Sequence, residues 1–224
     1  MIDELAGKRA MNDTVQISWA GELCTITINR PEKANSLSGT MLEALVKAVD
    51  ASSTTAKAMI ITGQGSVFSA GADLEEARAG LATSDLWEQL STAIAGAHCL
   101  TIAALNGTVA GGAFGMVLAC DLRVSVPTAK FFYPVMKLGF LPQPSDPGRL
   151  TALVGRARAK MILMAGQKVK ADDAMIWGLV DMLVPQEALL KAATELAQDT
   201  LAADRNHVAV IKSMIDSNHD RLGR

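Results

Sequence analysis

The sequence contains few aromatic residues, few cysteines and no long uninterrupted apolar segment. Only 4% of its 224 residues are aromatic although 50% are hydrophobic, so the core must consist mainly of Ala, Val, Ile, Leu and Met. This composition favours buried strands and closely packed helices, and the length suits one substantial domain or one domain with a small helical appendage. Gly, Asp, Arg or Pro interrupts every apolar run, so none is long enough to span a membrane.

Net charge is also small, and it excludes several classes of partner. The formal charge of −2 leaves no basic face, so we expect neither nucleic acid nor membrane as a partner. Cys24, Cys99 and Cys120 are scattered in apolar stretches, which predicts buried free thiols in a reducing compartment and no metal site. Residues 1–14 are polar and charged and lack the apolar centre of a signal peptide, so we expect a soluble, cytoplasmic protein.

Apolar, β-branched runs predict strands in the first two-thirds of the chain. Residues 15–19 and 23–29 are expected to form a hairpin joined at Ala20-Gly21, and Arg30-Pro31 ends its second strand because proline cannot continue a hydrogen-bonded ladder. Further strands are predicted at residues 58–62, 101–105 and 122–126.

Helical periodicity accounts for most of the remaining chain. Thr40 and Glu43 have capping-box spacing and predict the start of a helix. From Gly148 onward the sequence is Ala-rich and helical, with predicted breaks at Gly155, Gly166 and Gly178 and a short strand at residues 180–184. We therefore predict an α/β core over residues 1–147 and a helical C-terminal region over residues 148–224.

Two glycine-rich segments, residues 62–74 and 106–116, each follow a predicted strand and enter a helical stretch. The start of a helix leaves backbone N–H groups unpaired, and glycine lets a ligand approach that backbone closely. Two such turns from one sheet can direct two N–H groups at a single carbonyl oxygen.

Either segment alone is typical of an ordinary structural turn. Phosphate binding is another alternative, but neither segment has the full Gly-x-Gly-x-x-Gly pattern with a well-placed acidic residue, nor the lysine of a P-loop. Together, in this order and separated by a helical stretch, the two segments form a specific pattern.

The sequence, including these two turns, resembles the crotonase (enoyl-CoA hydratase/isomerase) superfamily from about Val15 to Pro185. The resemblance implies an α/β fold, a crotonase-like spiral of ββα units with a helical C-terminal region, and an acyl-CoA ligand. Coenzyme A would enter as part of the thioester substrate, with no separate cofactor. The matching segments are Asn29-Arg-Pro-Glu-Lys-Ala-Asn-Ser-Leu37, Phe68-Ser-Ala-Gly-Ala-Asp-Leu74, Ala103-Ala-Leu-Asn-Gly107 with Gly111-Gly112, Ala119-Cys-Asp-Leu-Arg123, Ala129-Lys-Phe131, Leu138-Gly139 and Trp177-Gly-Leu-Val180.

The resemblance assigns the two N–H groups of an oxyanion hole to Ala72 and Gly112. Such donors stabilise the negative charge that an enolising thioester places on its oxygen, and losing one typically costs about 10²–10³ in rate. For Asp73, capping of a helix is as good an interpretation as ligand contact. The residues that the resemblance places around coenzyme A are Lys33, Ala34, Leu37, Ala70, Asp73 and Leu74.

Carboxylates used by the family are absent from three matching positions. Gly115 and Val135 replace two glutamates of the hydratases, and Gln143 replaces an aspartate of isomerases and dehalogenases. Because general acid–base groups are worth about 10²–10⁴ each, we expect simple hydratase activity to be weak. The three positions would line the acyl pocket, which Gly115 would enlarge.

Asp146 is the candidate replacement for these acids. It lies in a proline-stiffened segment where the family's pocket wall runs, and apolar surroundings could raise its pKa and make it a base. The pattern Ser145-Asp146-Pro147 favours helix capping instead, with proline at the first helical position.

Other ionisable side chains are expected to have ordinary roles. Glu75 and Glu76 could reach the pocket, but acids in a first turn usually interact with the helix dipole. Tyr133 is expected to pack in the core, and the three histidines are expected to lie away from the chemistry. They are His98, His207 and His219.

These features and the resemblance predict an acyl-CoA lyase or isomerase that carries the thioester through an enolate-like intermediate. Isomerisation, decarboxylation or another reaction that needs fewer protein carboxylates is favoured over hydration. The alternative is a catalytically depleted acyl-CoA-binding protein without turnover. The resemblance further implies fatty acid metabolism and a homotrimer or dimer of trimers, with residues 148–224 contributing to oligomerisation and to the pocket wall. Family members commonly continue past the position of Arg224 with helices that cover the ligand and support trimer contacts.

Overall fold

The computed structural model describes residues 13–222, in which helices flank two β-sheets. The strands are β1 (Val15–Ala20), β2 (Leu23–Ile28), β3 (Ala58–Gly63), β4 (Val67–Ser69), β5 (Leu100–Leu105), β6 (Thr108–Ala110), β7 (Leu122–Ser125), β8 (Lys130–Phe132), β9 (Val169–Lys170) and β10 (Met182–Leu183). The α-helices are α1 (Gly39–Ser53), α2 (Leu74–Arg78), α3 (Leu86–Ala95), α4 (Ala113–Ala119), α5 (Val135–Leu138), α6 (Asp146–Leu163), α7 (Ala171–Trp177), α8 (Leu189–Leu196), α9 (Gln198–Ala202) and α10 (Arg205–Leu222). Short 3₁₀ helices cover Pro31–Lys33, Leu81–Thr83 and Gln186–Ala188.

The larger sheet has the strand order β1-β2-β3-β5-β7-β10. The antiparallel pairing of β1 with β2, in which Val15 faces Ile28, confirms the predicted hairpin. The other neighbours in this sheet are parallel. Residues 58–62 of β3 are all buried, as a parallel strand covered on both faces requires, which is why the sequence shows an uninterrupted apolar run there.

A smaller sheet with the order β4-β6-β8-β9 lies alongside it and was not predicted. Its strands have only two or three residues each, too few to give a periodic pattern. The chain passes repeatedly from a strand of the larger sheet to a strand of the smaller sheet and then to a helix, as in β3-β4-α2, β5-β6-α4 and β7-β8-α5. This order confirms the spiral of ββα units.

The capping box predicted at Thr40 is wrong. Helix α1 begins at Gly39, and its N-cap is Ser38, whose Oγ accepts a hydrogen bond from the backbone N–H of Met41. The backbone N–H of Gly39 donates to Oε2 of Glu76, 2.7 Å away. The carboxylate of Glu76, which belongs to α2, thus takes the acceptor role that the capping box predicted for Glu43 of α1.

The C-terminal third is helical, as predicted, and its three glycine breaks are confirmed. Gly155 interrupts α6, Gly166 follows it and Gly178 caps α7, all with positive φ. The strand expected at residues 180–184 is confirmed only over β10. Helix α6 starts at Asp146, two residues before the predicted domain boundary, which itself stays a prediction.

The C-terminal helices are tied to the core by polar contacts. Lys212 of α10 donates to the carbonyl oxygen of Cys99 and, at 2.8 Å, to the carboxylate of Asp121. Lys57 donates to the carbonyl oxygen of Leu201. Of the helices described in this structure, none combines the length and the apolar character needed to cross a bilayer.

Candidate active site

The first glycine-rich turn connects β4 to α2 and is held by the loop that follows β2. The backbone N–H of Leu37 donates to the carbonyl oxygen of Gly71, and the N–H of Asp73 donates to the carbonyl oxygen of Leu37, both at 2.8 Å. These two bonds bracket Ala72 and form a parallel bridge. The N–H group of Ala72 itself lies between these two bonds and donates to no acceptor in the described chain.

The second turn connects β6 to α4. Gly111 adopts a φ of 58°, and its N–H donates to the carbonyl oxygen of Phe132. The ring of buried Trp87 packs directly on Gly112, so that a β-carbon at position 112 would lie 2.9 Å from two ring carbons. No acceptor among residues 13–222 takes the N–H of Gly112.

The two turns touch each other. A β-carbon on Gly71, which has a φ of 91°, would lie 2.8 Å from the carbonyl oxygen of Ala110 and 3.3 Å from Cα of Gly111. Only glycine permits that approach, because any side chain would push the turns apart. Ala72 and Gly112, which directly follow the glycines in contact, are both partly exposed. The arrangement gives two neighbouring turns in which the backbone donors of Ala72 and Gly112 are both unused.

The residues predicted to surround coenzyme A come together at the first turn. The N–H of Ala70 donates to the carbonyl oxygen of Ala34, which has a φ of 51°. Lys33 and Leu74, which the prediction places in these same two segments, are exposed. Leu37 departs from the prediction: its side chain is fully buried and its backbone groups are used in the bridge. Leu37 therefore holds the turn and has no free group for a ligand.

Asp73 is the N-cap of α2, as one of its two interpretations predicted. Its Oδ1 accepts hydrogen bonds from the N–H groups of Glu75 and Glu76. Its Oδ2 accepts a 2.8 Å hydrogen bond from the guanidinium of Arg30, which holds the pKa of Asp73 below its usual range. The carboxylate is thus paired on both oxygens, and ligand contact by Asp73 stays a prediction.

Asp146 does not cap α6, so the favoured interpretation is wrong. Its side chain has no exposed surface, and its Oδ2 accepts a 2.9 Å hydrogen bond from the hydroxyl of Tyr133. Burial raises the pKa of Asp146 to about 6, despite the opposing effects of the Tyr133 hydrogen bond and of the charge on Arg149. Tyr133 is buried, as predicted, but it also donates to this carboxylate, and its burial raises the pKa of its own hydroxyl.

Comparison with known proteins identifies the family. The model of the enoyl-CoA hydratase/isomerase family matches residues 19–223. The chain belongs to this family, the crotonase superfamily. It is 31% identical over 213 residues to 4-chlorobenzoyl coenzyme A dehalogenase-1 of an Arthrobacter species, covering 90% of this chain and 77% of the relative.

Solved structures of family members have the same fold. An enoyl-CoA hydratase from Bacillus anthracis superposes with a TM-score of 0.83 at 30% identity, over 91% of this chain and 82% of that one. Pseudomonas aeruginosa DspI superposes with a TM-score of 0.86 at 30% identity, over 94% of this chain and 89% of that one.

In this crotonase-family chain, the carboxylate of Asp146 fills the space expected to be open beside Gly115. A β-carbon at position 115 would lie 2.7 Å from Oδ1 and 3.0 Å from Oδ2 of Asp146. The prediction that Gly115 enlarges the acyl pocket is therefore wrong for this structure. Val135 is buried at the start of α5, and the carbonyl oxygen of Gln143 accepts the N–H of Asp146. Contact of these residues with substrate stays a prediction.

Sequence reasoning missed the residues that anchor α6 of this family member. Ser145 donates from its N–H and its hydroxyl to the carboxylate of Glu88 on α3. Arg149 donates to the hydroxyl of Ser91, which in turn donates to the carbonyl oxygen of Gly115. Because these pairs are more than 20 residues apart in the chain, no local pattern could have indicated them.

None of the site contacts described above involves a thiol, His98 or His207. Cys24, Cys99 and Cys120 are buried free thiols, as predicted, and burial raises the pKa of Cys99 to about 11 and that of Cys120 to about 12. His98 and His207 are exposed. His219, expected at the surface, lies outside the residues whose side chains are described.

Proposed function

We propose that this family member binds an acyl-CoA thioester with its carbonyl oxygen between the N–H groups of Ala72 and Gly112. The single observation that supports this most is the contact between the two turns, in which the N–H groups of Ala72 and Gly112 are both unpaired. Preorganised donors of this kind stabilise an oxyanion without reorganising during the reaction. The chemistry is then the formation of an enolate-like intermediate.

The coenzyme A portion would run along the junction of residues 33–37 and 70–74. Three backbone hydrogen bonds fix this junction, from Ala70 to Ala34, from Leu37 to Gly71 and from Asp73 to Leu37. Lys33 is exposed there and offers a positive charge for a phosphate group. A rigid junction lowers the entropy lost on binding and keeps the thioester in register with the two donors.

The residues favour isomerisation or another reaction of the lyase or isomerase type over hydration. Hydration needs groups that handle both water and a proton, whereas the family's two glutamate positions hold Gly115 and Val135. A shift of a double bond needs one proton removed at one carbon and returned at another, which a single carboxyl group can perform. The alternative, acyl-CoA binding without turnover, is supported by the same vacant positions.

The experiment combines calorimetric binding of hexanoyl-CoA with chromatographic analysis of two substrates. We expect binding, conversion of 3-hexenoyl-CoA to 2-hexenoyl-CoA, and much slower hydration of crotonyl-CoA. Binding with no turnover of either substrate would favour the carrier, and absence of binding would contradict the proposal itself.

We also propose that the chain self-associates as a homotrimer or a dimer of trimers. Helix α10 exposes apolar side chains at helical spacing, among them Val210, Ile211, Met214 and Ile215, each about half exposed or more. Ile211 and Ile215 also line a groove of about 1530 Å³. Light scattering should give a trimer or hexamer that weakens with Ile215→Asp, and a monomer at micromolar concentration would contradict this.

A further inference from the structure

One buried carboxylate oxygen has no partner. Of the buried side-chain oxygens in the described chain, only Oδ1 of Asp146 lacks a hydrogen bond. A buried, unpaired carboxylate oxygen is costly, because water no longer solvates it and no donor replaces the water. A group with this cost calls for a use other than stabilising the fold.

This oxygen lies beside the second glycine-rich turn. Gly115 is three residues after Gly112, so the two are neighbours on successive turns of backbone. Oδ1 of Asp146 lies 2.7 Å from the point at which Gly115 would carry a β-carbon. Helix α6 thus delivers a carboxylate to the position from which a side chain of α4 would otherwise project, within one turn of a proposed oxyanion donor.

The carboxylate is positioned by one direct hydrogen bond and by the anchoring of the helix that carries it. Tyr133, which follows β8, fixes Oδ2, and Glu88 of α3 fixes the start of α6 through Ser145. Arg149 of α6 is the positive charge that faces this group, and Glu88 is the negative one. Because Tyr133 occupies Oδ2, the unpaired Oδ1 is the atom left for a reacting proton.

We propose that Asp146 is the general acid and base of this site, that Oδ1 carries the proton, and that Tyr133 is its positioning residue. This inference rests on the proposed binding of a thioester at Ala72 and Gly112. Asp146 takes the place of the absent carboxylate at Gly115, but it reaches the site from α6 instead of α4.

The proton transfer balances with one carboxyl group. The Asp146 carboxylate removes a proton from the acyl Cα, the C–H electron pair forms the carbon–carbon double bond of the enolate, and the negative charge moves to the thioester oxygen. The resulting carboxylic acid then returns its proton to Cα or, in a 3-enoyl thioester, to Cγ, which places the double bond between Cα and Cβ. No atom is gained or lost.

The electrostatics of the site suit this role. A carboxyl group with a pKa of about 6 is ionised at neutral pH yet is a stronger base than an exposed aspartate. Because Asp146 has no exposed surface in this structure, a substrate reaches Oδ1 only if a covering segment shifts.

The test is exchange of the α-protons of butyryl-CoA and hexanoyl-CoA in D₂O, followed by mass spectrometry, with binding measured by calorimetry. Exchange reports enolate formation whatever the natural substrate is. We expect Asp146→Asn to bind hexanoyl-CoA as wild type does and to exchange about 10²–10⁴ times more slowly. Loss of less than about tenfold would overturn the proposal.

A second variant, in which the carboxylate is moved to another helix, tests the proposal even if substitution of Asp146 impairs folding. Gly115→Glu combined with Asp146→Ala places a carboxylate in the same space from α4, and it should exchange at least about tenfold faster than Asp146→Ala alone. In Tyr133→Phe the pH of half-maximal exchange should rise, because the lost hydrogen bond stabilised the ionised form. An unchanged pH profile would overturn the role of Tyr133.

Failure of the two proposals gives different results. If wild type exchanges the α-protons and Asp146→Asn does so equally well, the thioester site stands and the role of Asp146 falls. If wild type neither binds hexanoyl-CoA nor exchanges its α-protons, the proposed function falls and the role of Asp146 falls with it.

Discussion

The Asp146 carboxylate occupies the space that a side chain at position 115 would need, with Oδ1 only 2.7 Å from the site of a β-carbon on Gly115. The two residues come from different helices, α4 and α6, and are 31 positions apart in the chain. The two residues are therefore structurally linked. Gly115 has no side chain, and the carboxylate of Asp146 fills the space that such a side chain would occupy.

The first prediction is that removing this charge stabilises the fold at neutral pH. The folded-state pKa of about 6 exceeds the ordinary value of 3.8, so the folded chain binds the proton more tightly and loses stability as pH rises through about 6. The difference corresponds to about 3 kcal/mol at pH 8. Urea unfolding should find Asp146→Asn more stable than wild type by up to about that amount at pH 8, with little difference at pH 4.

Asp73→Asn is the matched control and should have the opposite sign. The pKa of Asp73 is lowered by Arg30, so its charge contributes stability that is present above the ordinary pKa and is lost on acidification. Equal effects of the two substitutions at pH 8 would contradict the assignment of Asp146 as a destabilised buried acid.

Second, Gly115→Ala should destabilise the fold and slow the chemistry. Its β-carbon would collide with the Asp146 carboxylate, and overpacking of this kind costs about 1–3 kcal/mol. Gly148→Ala in α6 is the control, since a β-carbon there meets nothing within 4 Å and alanine favours helix by about 0.5–1 kcal/mol. Thermal unfolding should therefore separate the two variants in opposite directions, and similar melting temperatures would contradict the packing of Asp146 on Gly115.

Third, Gly112→Ala should show energetic coupling to Trp87. The added β-carbon would lie 2.9 Å from ring carbons Cδ2 and Cε3 of the indole, so the second turn must move. Trp87→Leu removes that obstacle, although it leaves a cavity of its own. In a double-mutant cycle by urea unfolding, the double variant should lose less stability than the sum of the single losses. Simple additivity would mean that the ring and the turn do not constrain each other.

Fourth, Glu88→Gln should move the pH dependence of α-proton exchange to lower pH. Burial tends to raise the pKa of Glu88, but the hydrogen bonds from Ser145 outweigh it, so Glu88 is an anion near Asp146. Removing a nearby negative charge lowers the pKa of the remaining acid. The shift should be opposite in direction to that of Tyr133→Phe, and shifts in the same direction would contradict the electrostatic assignment of both residues.

The parts of the fold that could be predicted from sequence are those with a local pattern. The hairpin at Ala20-Gly21, the buried run of β3 and the breaks at Gly155 and Gly178 each follow from residues within one short window. The smaller sheet could not be predicted, because its strands are too short to show alternation. The acceptor at the start of α1 could not be predicted either, because Glu76 comes from another helix.

The candidate site divides in the same way. The two turns could be predicted from their glycines, because a close backbone approach such as that of Gly71 to Gly111 requires glycine at that position. The position of Asp146 was misjudged because Ser145-Asp146-Pro147 is also a good capping pattern, and the capping interpretation needs only local information. Tyr133 and Glu88, the partners that decide its role, are 13 and 58 residues away in the chain.

The crystal structure of the protein with bound hexanoyl-CoA tests the central proposal most directly, through the distances from the thioester oxygen to two backbone nitrogens. We expect this oxygen to lie about 2.7–3.1 Å from both the Ala72 and the Gly112 nitrogen, with the acyl Cα facing Asp146. A thioester oxygen beyond hydrogen-bond reach of either nitrogen, or a pair of N–H groups that point apart with the ligand bound, would contradict it.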